Sequence, residues 1–419
     1  MTEERDARRL VVYTGGGDGL ELPPAMPVTA PWIGGGIRTL HELAFAAAAS
    51  GWRVELRGPV LPSAFERLAV AAGVRPELPD TPRRPAAEDL IVIPEGYEDP
   101  WSIARVVLSQ ARGIMMLLAP PGLFGWPFVP GKWSRASPLI AERAVLARPE
   151  HFRGAAELGL TLWTHMPRMA QLAHDAGVPC RSIGNGSPST VAEPPAKRVD
   201  VAWLQANRWA PLAESVATSL GERISVDAIE EVEHDELLAR VGAARVLLWP
   251  SRIEGHARIA GEARLLGCVP VALASNEFAT GLDEASGAVV VDTVEQMRPA
   301  VEALLRDPAR LAELAERGRR SAAIQLDWDA YAARVGAALY EVEQAPRPDA
   351  VGALAGLGER LELLRGEHER LLAEMRAALA AVHDQRDHAQ ARYDHLKRRK
   401  AVRFALWAAE LRHRRVPRR

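Results

Sequence analysis

Two carboxylates, Glu254 and Glu262, stand with seven residues between them, after Pro250-Ser251-Arg252 and before the apolar run Cys268-Val269-Pro270-Val271. Gly255, His256 and Arg258 fill the interval, so cations, an imidazole, a flexible glycine and two acids share a short stretch. That set suits a phosphorylated ligand bearing a sugar. Free N–H groups at a helix start, with the helix dipole behind them, favour phosphate. Gly255 lets backbone approach a ligand closely. A carboxylate further along can accept hydrogen bonds from sugar hydroxyls.

The elements that must hold these residues are legible around them. Val246, Leu247, Leu248 and Trp249 form an apolar run ending at Pro250, as a buried parallel strand does. Ile259, Ala260, Ala263 and Leu266 then recur at helical spacing until Gly267, a natural helix stop, and Val269, Val271 and Leu273 open another strand. In an open parallel sheet, ligands bind where such strands end.

Glu254 and Glu262, set between PSR and GCVPV, resemble the signature of retaining GT-B glycosyltransferases of the family-4 kind. The common EGFG or EGHG loop is here Glu254-Gly255-His256-Ala257, with alanine in place of the second glycine. The resemblance implies an α/β fold of two Rossmann-like doubly wound domains facing a cleft. It places Glu254 against the donor sugar and Glu262 on the nucleotide ribose. Ser251, Arg252, Gly255, His256 and Arg258 would complete the donor site.

Upstream, Gly34-Gly35-Gly36 precede Ile37, Leu40, Leu43 and Ala44, which predict a helix ended by Gly51. These glycines resemble the phosphate-facing loop of the same family; a plain flexible loop is the other reading. The run Gly15 to Gly19 is read as a loop, because no helix follows it. Predicted strands at 10–13, 53–56, 90–93, 114–118, 160–164 and 180–183 alternate with helices at 65–72, 103–111 and 166–176. That alternation predicts a parallel doubly wound sheet. Asn185-Gly186 resembles the run that closes the first half in this family, before a Pro- and Ala-rich linker at 187–197.

Glu95 and His165 each follow a predicted strand and are candidates for acceptor binding or proton transfer. A polar residue that merely stabilises its loop is the favoured alternative for both. In the second half, Val199 to Leu204 and Ile224 to Ile229 read as strands, and Arg208 is the cation the resemblance would set against the donor diphosphate. A helix opens at His234, and the last strand, Gly287 to Val291, precedes a helix from Val294 to Leu305. Asp327-Trp328-Asp329 spells DxD, but Asp327 sits as the N-cap of an apolar-striped helix. That helix resembles the one by which GT-B chains cross back to their first domain. No metal and no cofactor are assigned; the nucleotide sugar is a co-substrate.

Beyond Pro348, Leu354, Leu357, Leu361, Leu364, His368, Leu371, Met375, Ala378 and Val382 alternate by three and four, a heptad seam fading by Ala389. It implies a partner helix, most simply a second copy in a homodimer; a single long helix packed on its own body is the alternative. From Lys397 to Arg419 the balance is +9, with Phe404 and Trp407 among the cations, leaving about −11 for the rest of a chain whose total is −2. The tail suits an anionic membrane surface or, nearly as well, a protein partner. The acidic remainder argues against nucleic acid.

The expected division is thus residues 1–190 as an acceptor domain, 198–325 as a donor domain, 326–345 as the crossing-back helix, 353–395 as coiled coil and 396–419 as basic tail. Two cysteines far apart, Cys180 and Cys268, read as buried free thiols. The N-terminal MTEERDARR does not resemble a secretory signal, so a cytoplasmic protein, peripheral on the membrane face through its tail, is expected. The expected activity is sugar transfer from a nucleotide sugar to a glycan, lipid-linked or small-molecule acceptor. A catalytically weak scaffold acting through its coiled coil and tail, and a nucleotide-sugar epimerase, are the rivals.

Overall fold

The computed structural model describes residues 9–14, 25–27, 35–80, 84–95, 106–107, 109–118, 149–187, 194–205, 209–230, 232–252, 258–276 and 281–347, with isolated helical positions between 369 and 392. Met1–Glu362 forms one compact unit and Leu363–Arg419 a second. The larger unit holds two separate parallel sheets, and each is built from apolar runs bounded by glycine, proline or polar residues.

The first sheet contains β1 (Arg9–Tyr13), β2 (Ala25–Pro27), β3 (Arg53–Val60), β4 (Leu90–Pro94), β5 (Arg112–Leu117), β6 (Leu160–Thr164) and β7 (Cys180–Ser182), in the spatial order β2-β3-β1-β4-β5-β6-β7. Every pairing is parallel, with Leu10 opposite both Val54 and Leu90. Burial on both faces explains why β1 reads as an unbroken apolar run after Arg9, all of it buried. Its crossover helices include α1 (Gly35–Ala49), α2 (Pro62–Ala72), α3 (Pro149–Glu157) and α4 (Pro167–Asp175). Gly51, at φ 88°, turns the chain from α1 into β3.

The second sheet contains β8 (Val199–Leu204), β9 (Val226–Ile229), β10 (Ala244–Trp249), β11 (Val269–Leu273) and β12 (Val289–Val291), ordered β12-β11-β10-β8-β9 and parallel throughout. Its helices are α5 (Ala210–Ser219), α6 (His234–Ala243), α7 (Arg258–Leu265), α8 (Val294–Arg306) and α9 (Pro308–Gln325). Strand order reverses between β1 and β4 in the first sheet and between β8 and β10 in the second. Those switch points are where open α/β sheets present their ligand crevices.

The helix α10 (Trp328–Gln344) comes last and returns to the first sheet. Tyr331, Val335, Ala338, Leu339 and Val342 join Leu40, Ala44 and Phe45 of α1 in one buried cluster. Ser50 Oγ donates to the Ala332 carbonyl at 2.8 Å, and Arg112 donates to that of Ala345 at 3.1 Å. Asp327 caps α10 by accepting from the Ala330 N–H at 2.6 Å, which gives the first acid of the DxD string a backbone role.

The strands agree with the sequence reading apart from their ends: β9 begins at Val226 and β12 at Val289, two residues inside the expected starts, whereas β3 runs to Val60, four residues past the expected end, and β5 and β10 each start two residues early. Short β2 and helices α3, α5 and α9 were not anticipated. The heptad positions Leu354 to Ala389, the tail 396–419 and the loop Gly15 to Gly19 lie outside the described residues. In the smaller unit, Glu369, Ala373 and Ala380 are helical and exposed. No helix among the described residues is long and apolar enough to cross a membrane.

Candidate functional site

Strand β10 delivers Ser251 and Arg252 at its carboxyl end, beside the switch point of the second sheet. Ser251 is fully buried, and its Oγ has no hydrogen-bond partner among the described residues. Glu254, Gly255 and His256 lie outside the described residues, as do Arg208 and Gly34. The chain resumes with α7, whose apolar positions Ala260 and Ala263 pack under the sheet. Gly267, at φ 66°, and the Cys268 N–H returning to the Ala263 carbonyl at 2.8 Å close the helix as a Schellman turn.

That short helix fixes Glu262 in a buried, strongly charged setting. Its Oε1 lies 2.8 Å from Arg38 Nη2 and 3.4 Å from His234 Nε2. Burial alone would push the carboxyl pKa up; the opposing pull of Arg38, then of His234 and Arg258, is stronger and holds it well below the ordinary range. Glu262 is therefore an ionised acceptor near neutral pH. A buried carboxylate of this kind can receive hydroxyl donors without first losing a proton.

Arg38 comes from the other sheet's first helix. The start of α1 places Gly35 and Gly36 in its opening turn, where a Cβ on Gly36 would stand 3.3 Å from Leu118 Cδ1. One turn further, Arg38 Nε donates to Glu42 at 3.1 Å, while its Nη1 stands 2.7 Å from His234 Nε2. Arg258 reaches back from α7 to the same Glu42 carboxylate, and its Nη1 lies 3.4 Å from Thr39 Oγ1. At the neighbouring margin, Arg67 of α2 pairs with Asp235 of α6 at 2.9 Å. Thus α1 and α2 of the first half meet α6 and α7 of the second through charge.

Glu95 directly follows β4, at the switch point of the first sheet. Its carboxylate accepts from the Leu118 N–H at 2.5 Å, tying the ends of β4 and β5 beside the start of α1. The loop-stabilising reading of Glu95 thus has a concrete basis. His165 follows β6 and is buried. The adjacent Thr164 holds the strand end, its Oγ1 donating to the Leu117 carbonyl at 3.1 Å and accepting from the Met166 N–H at 3.0 Å. Glu95, Leu118 and His165 therefore follow the carboxyl ends of three adjacent strands.

Sequence reading named Arg258 and Glu262 but missed Arg38 and Glu42. The signal was present: Arg-x-x-x-Glu occurs at 38–42 and again at 258–262, an i,i+4 pair on each helix. Arg264, one turn from Ala260, was also unremarked. It is buried and holds the loop before β12 through the Ser286 carbonyl at 3.1 Å, and α9 through Gln325 at 2.7 Å. Burial lowers its pKa to about 10, so it remains a cation near neutral pH.

Two doubly wound parallel sheets, joined by a final helix that returns to the first, define the GT-B architecture expected from the sequence. No family model and no curated relative matches the chain. Solved structures do. Sucrose-phosphate synthase from Thermosynechococcus elongatus aligns at TM-score 0.55 and 15% identity, over 80% of this chain and 98% of that one. Anabaena HepE in complex with UDP aligns at TM-score 0.53 and 13% identity, over 80% and 100%. The same protein in complex with UDP-glucose gives TM-score 0.54 and 13% identity, over 79% and 99%. At such identities the likeness is one of fold.

Proposed function

We propose that this chain is a glycosyltransferase that moves a sugar from a nucleotide-sugar donor to an acceptor, with retention of anomeric configuration and without a metal. One observation carries the reading: Glu262, ionised and buried, stands on the helix after the switch-point strand of the second sheet. Ligands of open α/β sheets bind beside such strand ends, and the resemblance of the Glu254–Glu262 stretch sets a ribose-binding acid at this position. The GT-B fold shared with HepE, solved with UDP and UDP-glucose, supports a nucleotide sugar as partner.

In this reading Glu262 accepts from the ribose hydroxyls, and Glu254 lies against the donor sugar. Ser251, Arg252, Arg208 and Arg258, with backbone N–H groups of Gly34, Gly35, Gly36, Gly255 and His256, stabilise the departing diphosphate. Glu95 and His165, on the first sheet, face the acceptor, a glycan, lipid-linked saccharide or small molecule. The heptad seam pairs with a second copy, and the basic tail rests on the anionic cytoplasmic face of a membrane.

The test is a thermal-shift panel of UDP, GDP, ADP and dTDP on the wild type and on Glu262→Ala. A nucleotide at 100 times its Kd adds about 2.7 kcal/mol of stability. One nucleotide should raise the melting temperature of the wild type and not of the variant. The matching nucleotide sugar, incubated with acceptors, should then give a product of unchanged anomeric coupling in NMR spectra. A folded wild type that answers to none of the four sinks the donor site and leaves the scaffold reading in its place. That second reading has its own support, since Glu262 already serves a protein contact with Arg38.

A further inference from the structure

Arg38 and Glu42 of α1 meet Glu262 and Arg258 of α7 in a reciprocal pattern. Each helix supplies an arginine to the other helix's glutamate. The pairs join residues more than two hundred positions apart, and both carboxylates are almost wholly shielded from solvent. Such an arrangement could be no more than an interdomain staple. A detail at Glu262 argues for more. The described cations that reach Oε1 are Arg38 Nη2 at 2.8 Å and His234 Nε2 at 3.4 Å, fewer donors than the roughly four lone-pair sites of a carboxylate can take. The guanidinium supplies charge and fixes the carboxylate without filling all of its lone pairs. A buried carboxylate oxygen with unspent accepting capacity is costly unless something donates to it.

We propose that Arg38 is a positioning residue for nucleotide recognition: it reaches across from the first half to hold the Glu262 carboxylate so that ribose hydroxyls of a nucleoside diphosphate can donate to it. The inference rests on the donor-site reading above and adds that donor binding by the second half is completed by the first. Glu42 serves the same end by holding Arg38 through Nε, while its second cation, Arg258, ties α7 to α1. His234, 2.7 Å from Arg38 Nη1, backs the guanidinium from α6. The ribose contact and the closeness of the two halves are then one event, because the group that orients the acceptor belongs to the opposite half.

The experiment measures Kd by calorimetry for UDP and for 2′,3′-dideoxy-UDP on full-length wild type, Arg38→Lys and Arg38→Ala; if another base wins the thermal panel, that diphosphate and its dideoxy form replace them. Hydroxyl donation to a charged acceptor should give the wild type a preference for the ribose form of roughly tenfold or more. In Arg38→Ala that preference should fall to within about twofold of unity, with Arg38→Lys between. A staple alone would weaken both ligands equally and leave the ratio intact, and that result would overturn the proposal. A wild-type preference absent from the start would overturn it too. If no nucleoside diphosphate binds the wild type, the donor-site reading itself fails, an outcome distinct from an unchanged ratio. Should Arg38→Ala not fold, the comparison of wild type with Arg38→Lys decides alone: an unchanged ratio there refutes the role.

Discussion

Replacing Glu42 by alanine removes the carboxylate that two guanidiniums share. Glu42 is 1% exposed, while Arg38 and Arg258 are 18% and 12% exposed, so water cannot readily take its place. At the 3.1 Å between Arg38 Nε and Glu42, two unit charges attract by about 5 kcal/mol at an effective dielectric near 20. Desolvation offsets much of that in the intact cluster, but the variant keeps the desolvation and loses the attraction. Deleting one member of a buried pair typically costs about 3–5 kcal/mol. We expect a loss of that size for Glu42→Ala, against at most about 1 kcal/mol for Glu77→Ala, whose partner Arg53 is 49% exposed. Urea unfolding at pH 7, followed by tryptophan fluorescence, compares the two. Trp163 reports on the first sheet, and Trp203 and Trp249 on the second. Raising NaCl from 0.1 M to 1 M should erase the Glu77 effect and leave most of the Glu42 effect, since screening acts on exposed charge. A Glu42→Ala loss below about 1 kcal/mol, or one that vanishes in salt, refutes the buried clamp.

Other consequences follow from single features. Burial pushes both thiols, Cys180 and Cys268, up to about 12. A thiol-specific reagent at pH 8 should therefore leave the native protein unlabelled and modify both in urea; fast native labelling contradicts their burial. The Glu262 carboxyl is held low in the folded chain, so its contribution to stability is complete above the unfolded value near 4.3 and is lost as pH falls towards the folded one. Between pH 5 and 3 the melting temperature of the wild type should fall more steeply than that of Glu262→Gln, and parallel slopes would count against the assignment. A Cβ on Gly186 would stand 2.5 Å from Tyr331 Cδ1, so Gly186→Ala should cost about 1–3 kcal/mol and loosen α10 from the first sheet; an unchanged urea midpoint would deny that contact. The full chain should sediment with vesicles rich in phosphatidylserine at low salt, whereas deletion of 396–419 should abolish this; equal sedimentation by both clears the tail of the role.

The strands of the two sheets were legible because parallel strands buried on both faces are written as apolar runs, and here glycine or proline marks most of their ends. Strand β2, only Ala25-Met26-Pro27, carries no such run and exists through its pairing with Gly58 to Val60. Helix α9 carried a readable start, Asp307 before Pro308, and Asp307 does accept from the Arg310 N–H at 3.0 Å. Its alternating charges obscured the apolar stripe that Leu314 and Ala322 bury. The candidate site divides along the same line. Glu262 could be found because the residues that give it meaning, the strand before it and the glycine after its helix, are neighbours in sequence. Arg38 could not, although its i,i+4 partner stood in plain view, because spacing along a helix says nothing about which distant helix lies opposite. A motif therefore names the acceptor but not what surrounds it. In this chain the surroundings decide the charge: without Arg38 and His234, burial would drive the Glu262 carboxyl towards its neutral form, and a neutral acid is a weaker hydrogen-bond acceptor than a carboxylate.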